Sequence, residues 1–142
     1  MVSRWITAAL LLVNTPLSWA VEYNTVDVSE VVSIYDADTF RVNIKDWPPV
    51  IGSSMPIRVI GIDAPEIRGR CQSEKLAARR ARAITVDLLG KAQHIELRSL
   101  KRGKYFRLLA DVWVDGQRLA DQLILSGLAR PYDGGKRKGW CL

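Results

Sequence analysis

Histidine is nearly absent from this chain: His94 is the single one in 142 residues. It lies between Gln93 and Ile95 in an alternating stretch and reads as a surface residue of a strand. Hydrolases that rely on a pair of histidines or on a Ser-His-Asp triad are thereby excluded, as are metal sites built on several imidazoles. Cysteine is also scarce, with Cys71 and Cys141 alone; two cysteines and one histidine cannot form a structural zinc site. Long apolar runs are missing too. The most apolar stretch, Trp5 to Val13, is too short to cross a bilayer, which takes about 20 residues. There are no internal repeats and no low-complexity segments. With 48% hydrophobic and 25% charged residues, the composition is that of an ordered soluble domain, and the length suits one modest core.

What remains begins with a segment set apart. Residues 1–20 carry one charge, Arg4, then the short apolar run, then Ser18-Trp19-Ala20 in the small-x-small form of a cleavage site. We read 1–20 as a signal peptide cleaved near Ala20 and 21–142 as a single domain, secreted or periplasmic. In an exported chain, Cys71 and Cys141 most simply form one disulfide. Closing so long a loop stabilises by roughly 4 kcal/mol in the chain-entropy model, and it would pin the C-terminal tail beside residues 63–70. Loss of Arg4 lowers the formal net charge from +6 to +5. The remaining basic residues cluster at Arg68 and Arg70, at Lys75, Arg79, Arg80 and Arg82, at Lys101 to Arg107, and at Lys136 to Lys138. Such a field attracts a polyanion, although any one cluster alone reads as a solvated face.

Five strands are expected. Val26 to Ile34 is the first, and Phe40, Val42 and Ile44 alternate in the second. Lys45 to Met55 is a loop in which Trp47 and Val50 cover an edge of the core; 56–62 is the third strand. Ser73 is the expected N-cap of a helix over 74–89 that ends before Gly90, with Ala77, Ala81, Ile84 and Leu88 as its buried stripe. Gln93 to Leu100 is the fourth strand, and Phe106 to Val114 the fifth. Asp115-Gly116 signals a hairpin, and a short helix stops at Gly127. Five strands with a helix between the third and fourth, and a short helix after the fifth, predict an OB-fold barrel.

With histidine excluded, hydrolytic chemistry must run on carboxylates, arginines and a hard metal. Asp36-Ala37-Asp38-Thr39 makes a tight corner, and Arg58 through Glu66 runs as a strand into a loop stiffened by Pro65. Asp38 and Asp63 are short acids suited to a hard divalent cation, calcium or magnesium. Glu66 is a longer acid able to reach a water. Arg58 and Arg107 offer planar forks that match phosphate oxygens, where attack on a phosphodiester builds negative charge. Asp36 reads as a cap of its corner.

The segments Asp36 to Thr39, Arg58 to Glu66, Lys104-Tyr105-Phe106-Arg107 and Gly127-Leu128-Ala129, in this order, resemble the staphylococcal nuclease-like (thermonuclease) family over about 27–132. The resemblance implies a calcium-dependent nuclease that cuts DNA and RNA with little sequence preference and leaves 3′-phosphates. By position, Asp38, Asp63 and the Ala64 carbonyl become Ca2+ ligands, Glu66 the general base, and Arg58 and Arg107 the phosphate clamps. Lys104 and Tyr105 match nucleotide-phosphate contacts, and Tyr132 falls near an aromatic that stacks on a base. Three positions depart from the pattern. Ala37 and Phe106 stand where glycine is usual, and Ala64 where threonine is common. An alanine held at positive φ at position 37 would be strained by roughly 1 kcal/mol. The expected enzyme is a monomer. A non-catalytic nucleic-acid-binding module is the alternative, but such a module would typically lose an acid or arginine, and all five are present. A basic envelope-associated protein would explain the signal and charge but not this set.

Overall fold

The computed structural model describes residues 25–141; the expected signal peptide and its cleavage site lie outside the described residues. Strand β1 (Thr25–Asp36) is long, and its pairing with β2 (Thr39–Ile44) slips at three places. Each irregularity bends and twists the strand, which lets β1 pair β2 at one end and β5 (Ile95–Arg102) at the other. β3 (Met55–Val59) pairs β2, and β6 (Leu108–Val114) pairs β5. A parallel pairing of Ile57, Arg58 and Val59 with Leu108, Leu109 and Ala110 then closes the ring. The result is the expected five-stranded barrel of OB type, closed by that pairing.

Alternation fills the barrel: Phe40, Val42, Ile57, Val59, Leu97, Ala110 and Val112 are all buried inside it. Helix α2 (Gln72–Lys91) covers one side. A short helix α1 (Pro49–Gly52) interrupts the 45–55 connection. There Trp47 packs on the core as expected, but Val50 does not cover it and is 83% exposed. The third strand is shorter than expected. It breaks at Ile60-Gly61, where Gly61 takes φ +83, and β4 (Ile62–Asp63) starts anew. β7 (Gln117–Arg118) completes the hairpin at Asp115-Gly116, both at positive φ as a tight primed turn requires. α3 (Leu119–Leu125) buries Leu119, Ala120 and Leu123, and Gly127 ends it at φ +74. β8 (Arg130–Pro131) then pairs with β4.

The expected bounds and face of the long helix, and the start of the last barrel strand, are also corrected. Cys71 rather than Ser73 occupies the N-cap of α2, and Gly90 lies inside the helix. The buried face accordingly comprises Glu74, Ala78, Ala81, Thr85 and Leu89, with Ile84 and Leu88 only partly covered. Phe106 belongs to a turn before β6 and is exposed, not an inward strand residue. Ala37 is not at positive φ, so its departure from glycine carries no strain, whereas Phe106 at φ 54 does take the left-handed conformation. Cys71 and Cys141 form the expected disulfide. No helix among the described residues is long and apolar enough to cross a membrane.

Candidate active site

The site begins at the two-residue corner between β1 and β2. Ala37 is wholly buried there, and the buried Thr85 hydroxyl of α2 donates to its carbonyl at 2.9 Å. This pins the corner from behind and turns Asp36 and Asp38 toward the 63–67 loop. Asp38 Oδ2 accepts from the Ala64 N–H at 3.1 Å, Oδ1 accepts from the Thr39 hydroxyl at 3.0 Å, and Arg58 forms an ion pair with Oδ2. Burial pushes the Asp38 carboxyl up; Arg58 and the two hydrogen bonds oppose it, and nearby Asp63 adds to the rise. Asp36 does more than cap its own corner. It accepts from the Ile67 N–H at 2.9 Å, and burial raises its carboxyl, opposed by that bond and reinforced by the charges of Asp38 and Glu66.

Glu74, buried on α2, holds the same loop from the opposite side. It accepts from the N–H groups of Glu66 at 3.4 Å and Arg70 at 2.9 Å. Gly69 is required at this approach, since an added Cβ would overlap the Glu74 carboxyl group.

Asp38, Glu66, Arg58, Arg107 and Tyr132 together line one open cleft of about 860 Å³. Tyr35 and Lys101 line it as well; the sequence marks Lys101 only as part of a basic cluster and Tyr35 not at all. Arg58 also donates to the Ile62 carbonyl at 3.2 Å. Arg107 Nε is buried and has no hydrogen-bond partner among the described residues. Tyr132 is placed by its backbone N–H, which donates to Gly61 O at 3.0 Å. Lys104 and Tyr105 do not line the cleft. They stand exposed on the turn before β6, closed by a Gly103 N–H bond to Arg107 O at 2.7 Å, with Tyr105 and Phe106 both at positive φ.

Asp63 lies beneath the C-terminal tail, which is held beside residues 63–70 as expected, although neither Arg137 nor Trp140 is assigned a role there from the sequence. Arg137 Nε donates to Asp63 Oδ1 at 2.6 Å, its Nη1 pairs with Glu66 Oε1, and its Nη2 lies 3.4 Å from Ala64 O. The Trp140 indole donates to Asp63 Oδ2 at 2.9 Å, and Arg130 Nη2 reaches the same oxygen at 3.3 Å. Arg130 stacks on the Trp140 ring at 3.7 Å and donates to the carbonyls of Lys138 and Gly139, so it organises the tail. The only signals in the sequence are the basic run 136–138 and the second cysteine.

These oxygens suit a hard cation. Asp63 Oδ1, Ala64 O and Glu66 Oε1 already converge on one positive group, the Arg137 guanidinium, and the donors are all oxygen. Beside them, the cleft pairs acids with arginines whose forks suit phosphate.

No curated protein matches the sequence. A family model, the staphylococcal nuclease homologue, matches residues 56–139, a span that holds Arg58, Asp63, Glu66 and Arg107 and runs through the tail, while Asp38 lies before it. With more than half of the chain matched and the barrel closed as that resemblance implied, the protein belongs to the staphylococcal nuclease family.

Proposed function

We propose that the protein is an exported, calcium-dependent nuclease that hydrolyses phosphodiester bonds in DNA and RNA with little sequence preference. The observation that carries this reading is the unpartnered, buried Arg107 Nε on a cleft shared with Arg58, Asp38 and Glu66. A buried donor without an acceptor is costly, and a phosphate oxygen in the cleft would satisfy it. Asp38, Asp63 and the Ala64 carbonyl would hold the calcium ion. When bound, it supplies positive charge against the phosphoryl oxygens.

The protein's own residues supply the rest. Glu66 takes the proton from the attacking water as general base. Arg58 and Arg107 hold the phosphate and stabilise the charge that grows on its oxygens. Arg107, near the leaving oxygen, assists departure of the 5′-oxygen, and the phosphate stays on the 3′ side. Lys104 and Tyr105 contact the flanking chain of the nucleic acid, and Tyr132 offers a ring to a base. The 1–20 segment directs export, and the mature protein acts as a monomer.

Digestion of plasmid DNA by the oxidised protein from Val21 onward tests this, with calcium, magnesium or chelator added. Cleavage with calcium that the chelator stops is the expected result. Salt-sensitive binding without cleavage under any metal would sink the enzyme and leave a binding module.

A further inference from the structure

The tail raises a question that a nuclease reading alone does not answer. Three oxygens assigned above to calcium or to the general base, on Asp63, Ala64 and Glu66, are bonded to one guanidinium from residue 137. Asp63 is almost wholly buried beneath it, and its other oxygen is taken by Trp140 and Arg130. As the oxygens stand, a cation can reach Asp63 and Ala64 only by displacing Arg137.

Arg137 is well suited to this place. Its guanidinium is planar, always charged and forked, so it reaches oxygens on Asp63, Ala64 and Glu66 at once. Its side chain is 41% exposed, which leaves it a path outward that the buried Asp63 lacks. The tail is also tethered. Cys141 is bonded to Cys71 at the start of α2, and Arg130 grips the Lys138 and Gly139 carbonyls. Residue 137 therefore lies between β8, which is paired to β4, and the disulfide, and tethering gives its guanidinium a high effective concentration at the acids.

We propose that Arg137 is a tethered counter-cation of the acid site: with the tail closed it holds the oxygens that a divalent cation needs, so that metal loading requires Arg137 to withdraw. The inference rests on the reading of Asp63 and Ala64 as cation ligands given above. It makes metal affinity a difference between two positive groups competing for the same oxygens, which lowers the apparent affinity of the wild-type protein. A divalent cation arriving with a substrate phosphate has an advantage over the cation alone. The displaced guanidinium then has a new partner in that phosphate.

The test is calcium binding by isothermal titration calorimetry, without nucleic acid, on the oxidised wild type and on Arg137→Gln. Removal of a competitor tightens binding, and we expect the Kd to fall by about tenfold, equivalent to about 1.4 kcal/mol. A purely structural Arg137 gives the opposite sign, because its loss would loosen the acids. Arg137→Lys keeps the charge but not the fork; it should fall between the two and carries the test if the glutamine variant does not fold. Trp140, which donates to Asp63, gives a second readout: its fluorescence should change when calcium is added to the wild type. Unchanged or weaker calcium affinity in Arg137→Gln would overturn the inference and leave the nuclease reading intact. Absence of calcium binding in every variant would overturn both.

Discussion

The Thr85 hydroxyl holds the position of a residue it never touches. It satisfies the Ala37 carbonyl, and Ala37 precedes Asp38 in a corner with no slack. Thr85→Val keeps the shape and removes the donor. The orphaned carbonyl should cost about 1–3 kcal/mol in denaturant unfolding, and an unchanged midpoint would show that the corner is held by other contacts. Glu66 is the sharpest test of chemistry. Glu66→Gln should lower cleavage by about 10²–10⁴-fold, the usual contribution of a general base, while nucleic-acid binding measured in calcium stays close to wild type. Single residues of this kind are legible in the amino-acid sequence. Asp38, Asp63, Glu66, Arg58 and Arg107 stand out because acids and arginines interrupt apolar, β-branched stretches. Arg130, Arg137 and Trp140 do not, because their partners lie 67 to 77 positions away and leave no local pattern.

Among the secondary-structure elements, the turn before β6 and helix α2 make a contrasting pair. Strands can be read from alternation, and the barrel with them. The register of α2 cannot, because Ser73 is the better capping residue by type and yet lies inside the helix. The buried face instead follows Glu74, a charged residue that no hydrophobic stripe predicts, bonded to the 66–70 loop. Glu74→Ala should release that loop, with greater loss of activity than of stability, measured as kcat against the unfolding midpoint. The turn holds Tyr105, 91% exposed, and Phe106 under the Arg102 guanidinium at 5.0 Å, with Lys101 and Lys104 beside them. Exposed rings among cations suit unstacked bases. Replacing Tyr105 and Phe106 with alanine should weaken binding of a single-stranded oligonucleotide by about 1–3 kcal/mol per stacked base, measured by fluorescence anisotropy, and leave duplex binding little changed.

Taken together, the protein is a positive body, +6 over the full sequence, with acids concentrated beneath its tail. Its affinity for duplex DNA should therefore fall steeply with salt, by about 10³-fold between 50 and 200 mM if it contacts about six phosphates; a flat dependence would rule out electrostatic capture. The pairing of Cys71 with Cys141 and the tail's place beside residues 63–70 can be read from the expected export and the cysteine count, yet which side chain the bond sets over the acids cannot.

The parallel pairing of β3 with β6 also has a consequence in time. Residues 57–59 must wait for 108–110 before the barrel shuts, and contacts so distant in sequence form slowly. Cys141 comes later in the chain than any barrel strand. The two thiols can thus meet on a barrel whose strands are all already made, and a bond formed at that point would secure closure without guiding it. A Cys71→Ser/Cys141→Ser protein should refold as fast as the wild type and unfold faster. Slower refolding would instead put the tail in the folding nucleus.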